Sequence, residues 1–296
     1  MMPRANMPVI ELKGTEKTVR IGATYTPVIV GERINPTNRK ALIEKLKAGE
    51  FEVLEGEAKK QVENGADILD INVGVPGIDE KHAMLEALRI VQSAVDVPLW
   101  IDTSDPAVLA EALKAVKGRP GINSTTGEEK RMEAVIPLAA EYDAALVGLT
   151  IDDAGIPTTT EKRVEIAGKI IDQAEKAGMD RKNIIIDCVA LACGTSESGA
   201  RATLDTIRTV TEKYGVNTTL GLSNASFGLP ARPKLNAAFM LMCAGEGMTC
   251  FIGNPSDPEM GFALSASKLF WGEDKFAMGY LKFYRKWQGV FEAAKK

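Results

Sequence analysis

The sequence predicts a single TIM-type (β/α)8 barrel, with an N-terminal β-hairpin-like extension and a C-terminal helical extension. Three observations predict it. Short β-branched apolar runs alternate with helical stretches along the chain, and such alternation argues for a parallel sheet, because parallel strands need long crossovers. Eight of these runs occur, the number that closes a barrel. Acid or amide side chains stand at the C-terminal ends of five of them, the end at which such barrels build their sites. At 296 residues and 45% hydrophobic content the chain is ample for one such core, and no stretch reads as an interdomain linker.

Residues 1–27 contain IELKGTEKTVRIG, two apolar runs about a Gly-containing turn. They read as a hairpin that closes the bottom of the barrel. The barrel itself is expected over residues 28–271. Its strands are expected at Val28–Gly31, Ile68–Ile71, Leu99–Ile101, Gly121–Asn123, Ala145–Leu149, Asn183–Ile186, Thr219–Leu222 and Thr249–Ile252. Between them, apolar residues at three- and four-residue spacing predict helices that include His82–Ala94, Ala107–Val116, Glu129–Ala140, Glu161–Lys176, Ser198–Lys213 and Lys234–Cys243. Gly65 and Gly178 stand where helices should end just before strands. Pro98 and Pro120 precede the third and fourth strands, where a missing donor is tolerated. Pro106 follows Ser104-Asp105 as a helix-opening proline follows its cap. Residues 272–296 read as an aromatic helix. Phe276, Tyr280, Phe283, Tyr284, Trp287 and Phe291 fall largely on one stripe, which fits an outer helix on the barrel or a dimer interface.

Composition excludes several function classes. The net charge is −4 and no basic stripe interleaves with aromatics, so nucleic acid is not an expected partner. No apolar run approaches the ~20 residues of a membrane span. The start, MMPRANMPVIELKG, lacks the apolar core of a signal peptide, so the chain reads as cytoplasmic. Cys188, Cys193, Cys243 and Cys250 have neither zinc-pair nor disulfide-framework spacing. His82 is the single histidine; a multi-histidine metal centre is excluded and no metal site is expected.

The strand ends carry the chemistry. Asp70 and Asn72 end the second strand, Asp102 the third, Asn123 the fourth and Asp187 the sixth, while Asn224 follows the seventh. A barrel would gather all of them at one mouth. The set is rich in carboxylate and carboxamide, which suits gripping a polar heterocycle by its donor and acceptor edge. Glu32 and Arg33 are adjacent on the first strand, so at most one of them faces the axis. Asp105 reads as a helix cap. Asp187 follows three isoleucines, where a carboxylate is costly unless a bound donor pair or a structural arginine meets it. The loop after the seventh strand brings Phe227 and Arg232 near the mouth.

GERIN, DINVG, IDTSDP, INSTT and GLSNASFGLPARP, in this order and at this spacing, resemble the pterin-binding methyltransferases. That family includes the methyltetrahydrofolate:corrinoid protein methyltransferases and the folate domain of cobalamin-dependent methionine synthase, with dihydropteroate synthases as more distant relatives. The resemblance covers residues 28 to about 270 and is greatest to the stand-alone corrinoid enzymes. It implies methyl transfer between N5 of tetrahydrofolate and the cobalt of a separate corrinoid protein. It implies pterin binding by Asp102, Asn123 and Asp187, with Asp70, Asn72, Glu32 and Arg232 as further parts of the mouth. Asn224 is similar to the asparagine that hydrogen-bonds near N5. Asp102 and water are both possible carriers of the N5 proton. No DxHxxG motif is present to ligate cobalt, so the corrinoid is expected on a partner protein. The family tends to be homodimeric. The N-terminal extension leans the resemblance toward transfer from methylcorrinoid to tetrahydrofolate, as in methylamine or glycine betaine demethylation. A dihydropteroate synthase-like enzyme and a non-catalytic pterin-binding protein are the alternatives. Against the first, strand eight reads TCFIGNPSDP, with no Arg or Lys.

Overall fold

The branched apolar runs form strands because their side chains pack well on a pleated surface buried on both faces. The computed structural model describes residues 7–293. Residues 1–6 of the expected N-terminal extension and 294–296 of the tail lie outside the described residues. An antiparallel hairpin, β1 (Ile10–Lys13) and β2 (Thr18–Ile21), precedes the barrel. The barrel strands are β3 (Val28–Ile34), β4 (Ile68–Ile71), β5 (Leu99–Asp102), β6 (Gly121–Thr126), β7 (Ala145–Leu149), β8 (Ile184–Asp187), β9 (Asn217–Thr219) and β10 (Cys250–Gly253). They form one eight-stranded sheet of order β10-β3-β4-β5-β6-β7-β8-β9, all neighbours parallel. Bonds from Ile252 N–H to the Leu220 carbonyl (3.0 Å) and from Thr249 N–H to the Thr218 carbonyl (3.2 Å) close it into a barrel.

The outer layer holds α1 (Lys40–Lys47), α2 (Val53–Glu63), α3 (Glu80–Ala94), α4 (Pro106–Ala115), α5 (Glu129–Glu141), α6 (Thr160–Lys176), α7 (Gly199–Tyr214), α8 (Arg232–Glu246) and α9 (Pro258–Phe270). Their buried faces pack on the outward-facing strand residues in one continuous core. Asp105 caps α4 through the Ala107 N–H, with Pro106 behind it, as the sequence predicts.

Two strands run three residues past expectation, β3 to Ile34 and β6 to Thr126, and a third is displaced. The seventh barrel strand, β9, spans Asn217–Thr219 and not Thr219–Leu222; Leu222–Asn224 form a single 3-10 turn. Threonines at 218 and 219 supply the β-branching that an apolar pattern overlooks. Ser223 and Asn224 favour a turn because their side chains compete for backbone groups.

The barrel interior fixes which residues reach the mouth. Val28, Val30, Ile68, Trp100, Ala145, Val147, Ile185 and Cys250 form an inner cluster with Ile10, Leu12, Val19 and Ile21 of the hairpin. The hairpin therefore plugs the N-terminal end of the barrel. Lys13 and Arg119 exchange backbone bonds, and Asp96 accepts the N–H groups of Thr15, Glu16 and Lys17 at the hairpin turn. Because strand side chains alternate, the next inward residues are Glu32, Asp70, Asn72, Asp102, Asn123 and Asp187.

Trp100 is the largest fully buried side chain and floors this space. A Cβ on Gly121 would lie 2.6 Å from its Cδ1 and 2.7 Å from its Nε1. Gly121→Ala should therefore overpack the interior and cost ~1–3 kcal/mol in urea unfolding. Unchanged stability would show that the indole moves aside freely.

The C-terminal helix α10 (Met278–Ala293) packs on α9. Phe262 meets both Tyr280 and Phe291 edge-on at 6.0 Å, and Gly261 leaves room for the Phe283 ring. Most of the aromatic stripe thus serves as the inner face of an outer helix. Tyr25 stacks on Trp271 at 4.7 Å, joining the N-terminal segment to the end of α9.

Candidate functional site

Four of the expected residues form one hydrogen-bonded cluster at the C-terminal ends of β4, β5 and β6. Asn123 donates through Nδ2 to Asp70 Oδ1 at 3.0 Å, and Asn72 donates through Nδ2 to Asp102 Oδ2 at 3.0 Å. The Asn72 amide is oriented by the Gly74 N–H, which bonds its Oδ1 at 3.0 Å. Asp70 and Asp102 lie close enough for each carboxyl to influence the other. Burial, then the neighbouring Asp102 charge, pushes the Asp70 carboxyl well above the ordinary range. Burial also raises Asp102, opposed by the donor from Asn72. The two carboxyls therefore sit as a coupled pair, each raised by burial and Asp70 further by its neighbour's charge. Arg131 of α5 straps this side of the mouth: its guanidinium donates to the carbonyls of Thr103, Ser104 and Ser124.

Glu32 is the member of the Glu32/Arg33 pair that faces the axis. Burial raises its carboxyl, and the Ser223 hydroxyl donates to it at 3.3 Å. That bond anchors the 3-10 turn on which Asn224 sits. The Asn224 side chain is exposed at the rim and its amide has no hydrogen-bond partner among the described residues. Arg232, expected at the mouth as a binding residue, opens α8 and turns two of its donors onto its own loop. Its Nη2 meets the Ser223 carbonyl at 2.7 Å, its Nε meets Ser226 Oγ at 3.2 Å, and its guanidinium lies over the Phe227 ring. In this position it secures the Asn224 turn.

A model of the family described as pterin binding enzyme matches residues 31–254. The chain belongs to the pterin-binding enzyme family. It is 34% identical over 266 residues to a methylcorrinoid:tetrahydrofolate methyltransferase of Eubacterium limosum, covering 88% of this chain and 96% of that one. It is 35% identical over 245 residues to a methionine synthase of Mycobacterium leprae, covering 77% of this chain but only 20% of that longer protein. Among solved structures, dihydropteroate synthase of Xanthomonas albilineans in complex with 7,8-dihydropteroate superposes with a TM-score of 0.70 at 20% identity, over 88% of this chain and 98% of that one. The last likeness bears on the fold alone.

In this pterin-binding enzyme Asp187 stands apart from the four-residue cluster, on β8 between Leu149 of β7 and Thr219 of β9 in register. Burial pushes its carboxyl up to about 7, against the Val189 N–H and the charge of Arg163. The Val189 N–H donates to Oδ1 at 2.7 Å, and the second oxygen has no partner among the described residues. Both partners posed for this acid by the sequence therefore stay in play: a structural arginine is near, and one oxygen is left for a donor.

The sequence reading missed Thr219. Its hydroxyl is fully buried with no hydrogen-bond partner among the described residues, level with Asp187 on the inward face. Counting two back from Gly221, where the chain bridges to Ile252, reveals it once β9 is correctly placed. His82 lies in the first turn of α3 with its ring edge-on to Phe51 at 5.7 Å. Among the described residues no group of three or more His, Cys, Asp and Glu side chains is arranged to hold a metal. Among them, too, no helix is long and apolar enough to cross a membrane.

Proposed function

We propose that the chain is a methyltransferase that moves a methyl group between N5 of tetrahydrofolate and the cobalt of a separate corrinoid protein. The observation that carries this reading is the polarity of the mouth. An acid–amide cluster on β4 to β6 faces a single buried acid on β8, and an unpartnered amide stands at the rim. A 2-amino-4-oxopteridine offers paired N–H donors that a carboxylate accepts side by side, which fits the free side of Asp187. Asn123, Asn72 and Asp102 present both donors and acceptors for the rest of the ring, and Thr219 adds a hydroxyl. Asp70 and Glu32 support that cluster and the Asn224 turn. The relative named methylcorrinoid:tetrahydrofolate methyltransferase supports the substrate pair and favours transfer toward tetrahydrofolate. The absence of Arg and Lys from Cys250–Asp257 disfavours a dihydropteroate synthase, which must handle pyrophosphate.

In the favoured direction the N5 lone pair forms the new carbon–nitrogen bond, cobalt keeps the electron pair, and N5 must shed its proton. Asp102, set beside Asp70, is the acceptor, directly or through water. Asn224 Oδ1 can accept a hydrogen bond from N5 while it carries positive charge, so it stabilises that state preferentially. The corrinoid supplies the methyl-bearing cobalt and docks over the mouth with its own protein in a modest, transient interface. The free thiols, three of them buried, suit the reducing cytoplasm.

We also propose a homodimer through the outer face of α8–α10. Phe270 is 84% and Phe276 94% exposed there, beside exposed Met242 and Met278. Sedimentation velocity should give twice the 31.8 kDa chain mass, and monomers at micromolar concentration would reject the dimer.

The function is tested by following the cobalt absorption bands. The protein is mixed with methylcobalamin and tetrahydrofolate, and separately with cob(I)alamin and methyltetrahydrofolate. Turnover in either direction establishes the chemistry. No turnover with free or protein-bound corrinoid, while folate still binds in calorimetry, would reject methyl transfer and leave a pterin-binding protein.

A further inference from the structure

The support of Asp187 comes from an outer helix. Arg163 of α6 is fully buried, at 0% exposure. Its Nε donates to the Pro157 carbonyl at 2.9 Å. Its Nη1 donates to the carbonyls of Cys188 at 3.1 Å and Val189 at 2.9 Å and to Thr203 Oγ1 at 3.2 Å. Thr203 of α7 donates its own hydroxyl to the same Val189 carbonyl at 2.9 Å. Three of these bonds end on the carbonyls of Cys188 and Val189, the second a residue in an unusual conformation. Val189 has φ +51°, a left-handed backbone that costs a β-branched residue ~1–3 kcal/mol. That bend turns the Val189 N–H onto Asp187 Oδ1.

None of the hydrogen bonds of Arg163 goes to a carboxylate, and Nη2 has no partner among the described residues. A buried cation so held is expensive, and an apolar side chain would fill the same space more cheaply if packing were all that mattered. The other titratable groups that feel Asp187 are the thiols of Cys188 on its own strand and Cys250 on β10. Burial raises both thiols, so they stay neutral. Leu149 and Thr219, its register neighbours, carry no charge. Among the described residues, Arg163 is thus the one cation set against this acid.

We infer that Arg163 is a positioning residue: its guanidinium holds the left-handed Val189 bend and sets a positive charge beside Asp187, whose second oxygen is left for the donor edge of a pteridine. This rests on the folate reading of Asp187. The two parts of the role separate chemically. Lysine keeps the charge but is a point donor, whereas the planar fork reaches several acceptors at once.

The test is tetrahydrofolate affinity by calorimetry from about pH 5.5 to 8.5, with thermal melts, for wild type, Arg163→Met and Arg163→Lys. Wild-type affinity should fall as pH drops through about 7, where the acid protonates. Arg163→Met should move that midpoint up by at least one unit, so that affinity is down about tenfold near pH 7 and partly regained near pH 8.5. Arg163→Lys should hold the midpoint and lose affinity several-fold at every pH. A loss in Arg163→Met that is the same at all pH values, with the midpoint unmoved, would overturn the inference. If melts show that the Met variant does not fold, the Lys variant decides. Wild-type affinity in Arg163→Lys would overturn the inference, and a pH-independent several-fold loss would support it. No binding by the wild type at any pH would reject the folate reading itself.

Discussion

Asn224→Ala will slow methyl transfer at least tenfold, and toward the ~10²-fold that removal of one well-aimed polar group costs in comparable sites. Folate affinity will change far less. The asymmetry follows from where the side chain sits. Asn224 is exposed at the rim and has no partner within the protein among the described residues, so truncation breaks no internal bond. Its turn is held by other groups, the Ser223 hydroxyl on Glu32 and Arg232 on the Ser223 carbonyl. Stability should therefore match the wild type within ~0.5 kcal/mol. What is lost is an acceptor for N5 only while N5 is positively charged, an interaction stronger in the transition state than with the resting substrate. Such a loss lowers kcat and kcat/KM together and leaves KM nearly alone. Stopped-flow transfer between methylcobalamin and tetrahydrofolate reads both. A raised KM at unchanged kcat would reassign Asn224 to uniform binding, and an unchanged rate would remove it from the mechanism.

Much of this site is legible in the sequence, and the reason is geometric. Asp70, Asp102, Asn123 and Asp187 each end a run of buried strand residues, and a parallel barrel sends all such ends to one face. The run Ile184-Ile185-Ile186 made Asp187 conspicuous. The pairing of the groups was not visible. That Asn123 serves Asp70 while Asn72 serves Asp102 depends on the stagger of β4, β5 and β6, which a linear pattern does not contain. The closeness of Asp70 and Asp102 depends on the same stagger. β9 was displaced because Asn217-Thr218-Thr219 is polar by composition though buried in place, and Thr219 was lost with it. Arg163 was hidden differently. In TEKRVEIAGK it reads as a solvated charge, yet it lies four residues before Ala167 and seven before Ile170, on the face that α6 buries. Helical counting carried the signal, and the identity of the residue argued against it.

Asp187→Asn should separate binding from stability, moving them in opposite directions. Folate affinity should fall by ~10²-fold, since hydrogen bonds to a charged acceptor contribute roughly 1.5–3 kcal/mol each and the amide turns a donor toward the donor edge of the pterin. The pH dependence should vanish as well. In the wild type the binding form is the carboxylate, and burial has pushed that acid up to about 7. Affinity should be flat above pH 7 and fall about tenfold per unit below it, with a proton released on binding near pH 6. The sign for the ligand-free protein is the reverse of that for binding. An acid whose folded pKa exceeds its unfolded value of about 3.9 holds its proton better when folded. Its contribution to stability is complete below pH 4 and is lost as pH rises toward 7. Above pH 7 the wild type carries a charge that its surroundings disfavour, and the neutral amide does not. The variant should therefore melt at an equal or higher temperature than the wild type near pH 8 while binding folate more weakly. Parallel losses of affinity and stability at that pH would mean that Asp187 holds the fold together and does not grip a ligand. Unchanged calorimetry would reject the edge-pairing assignment outright.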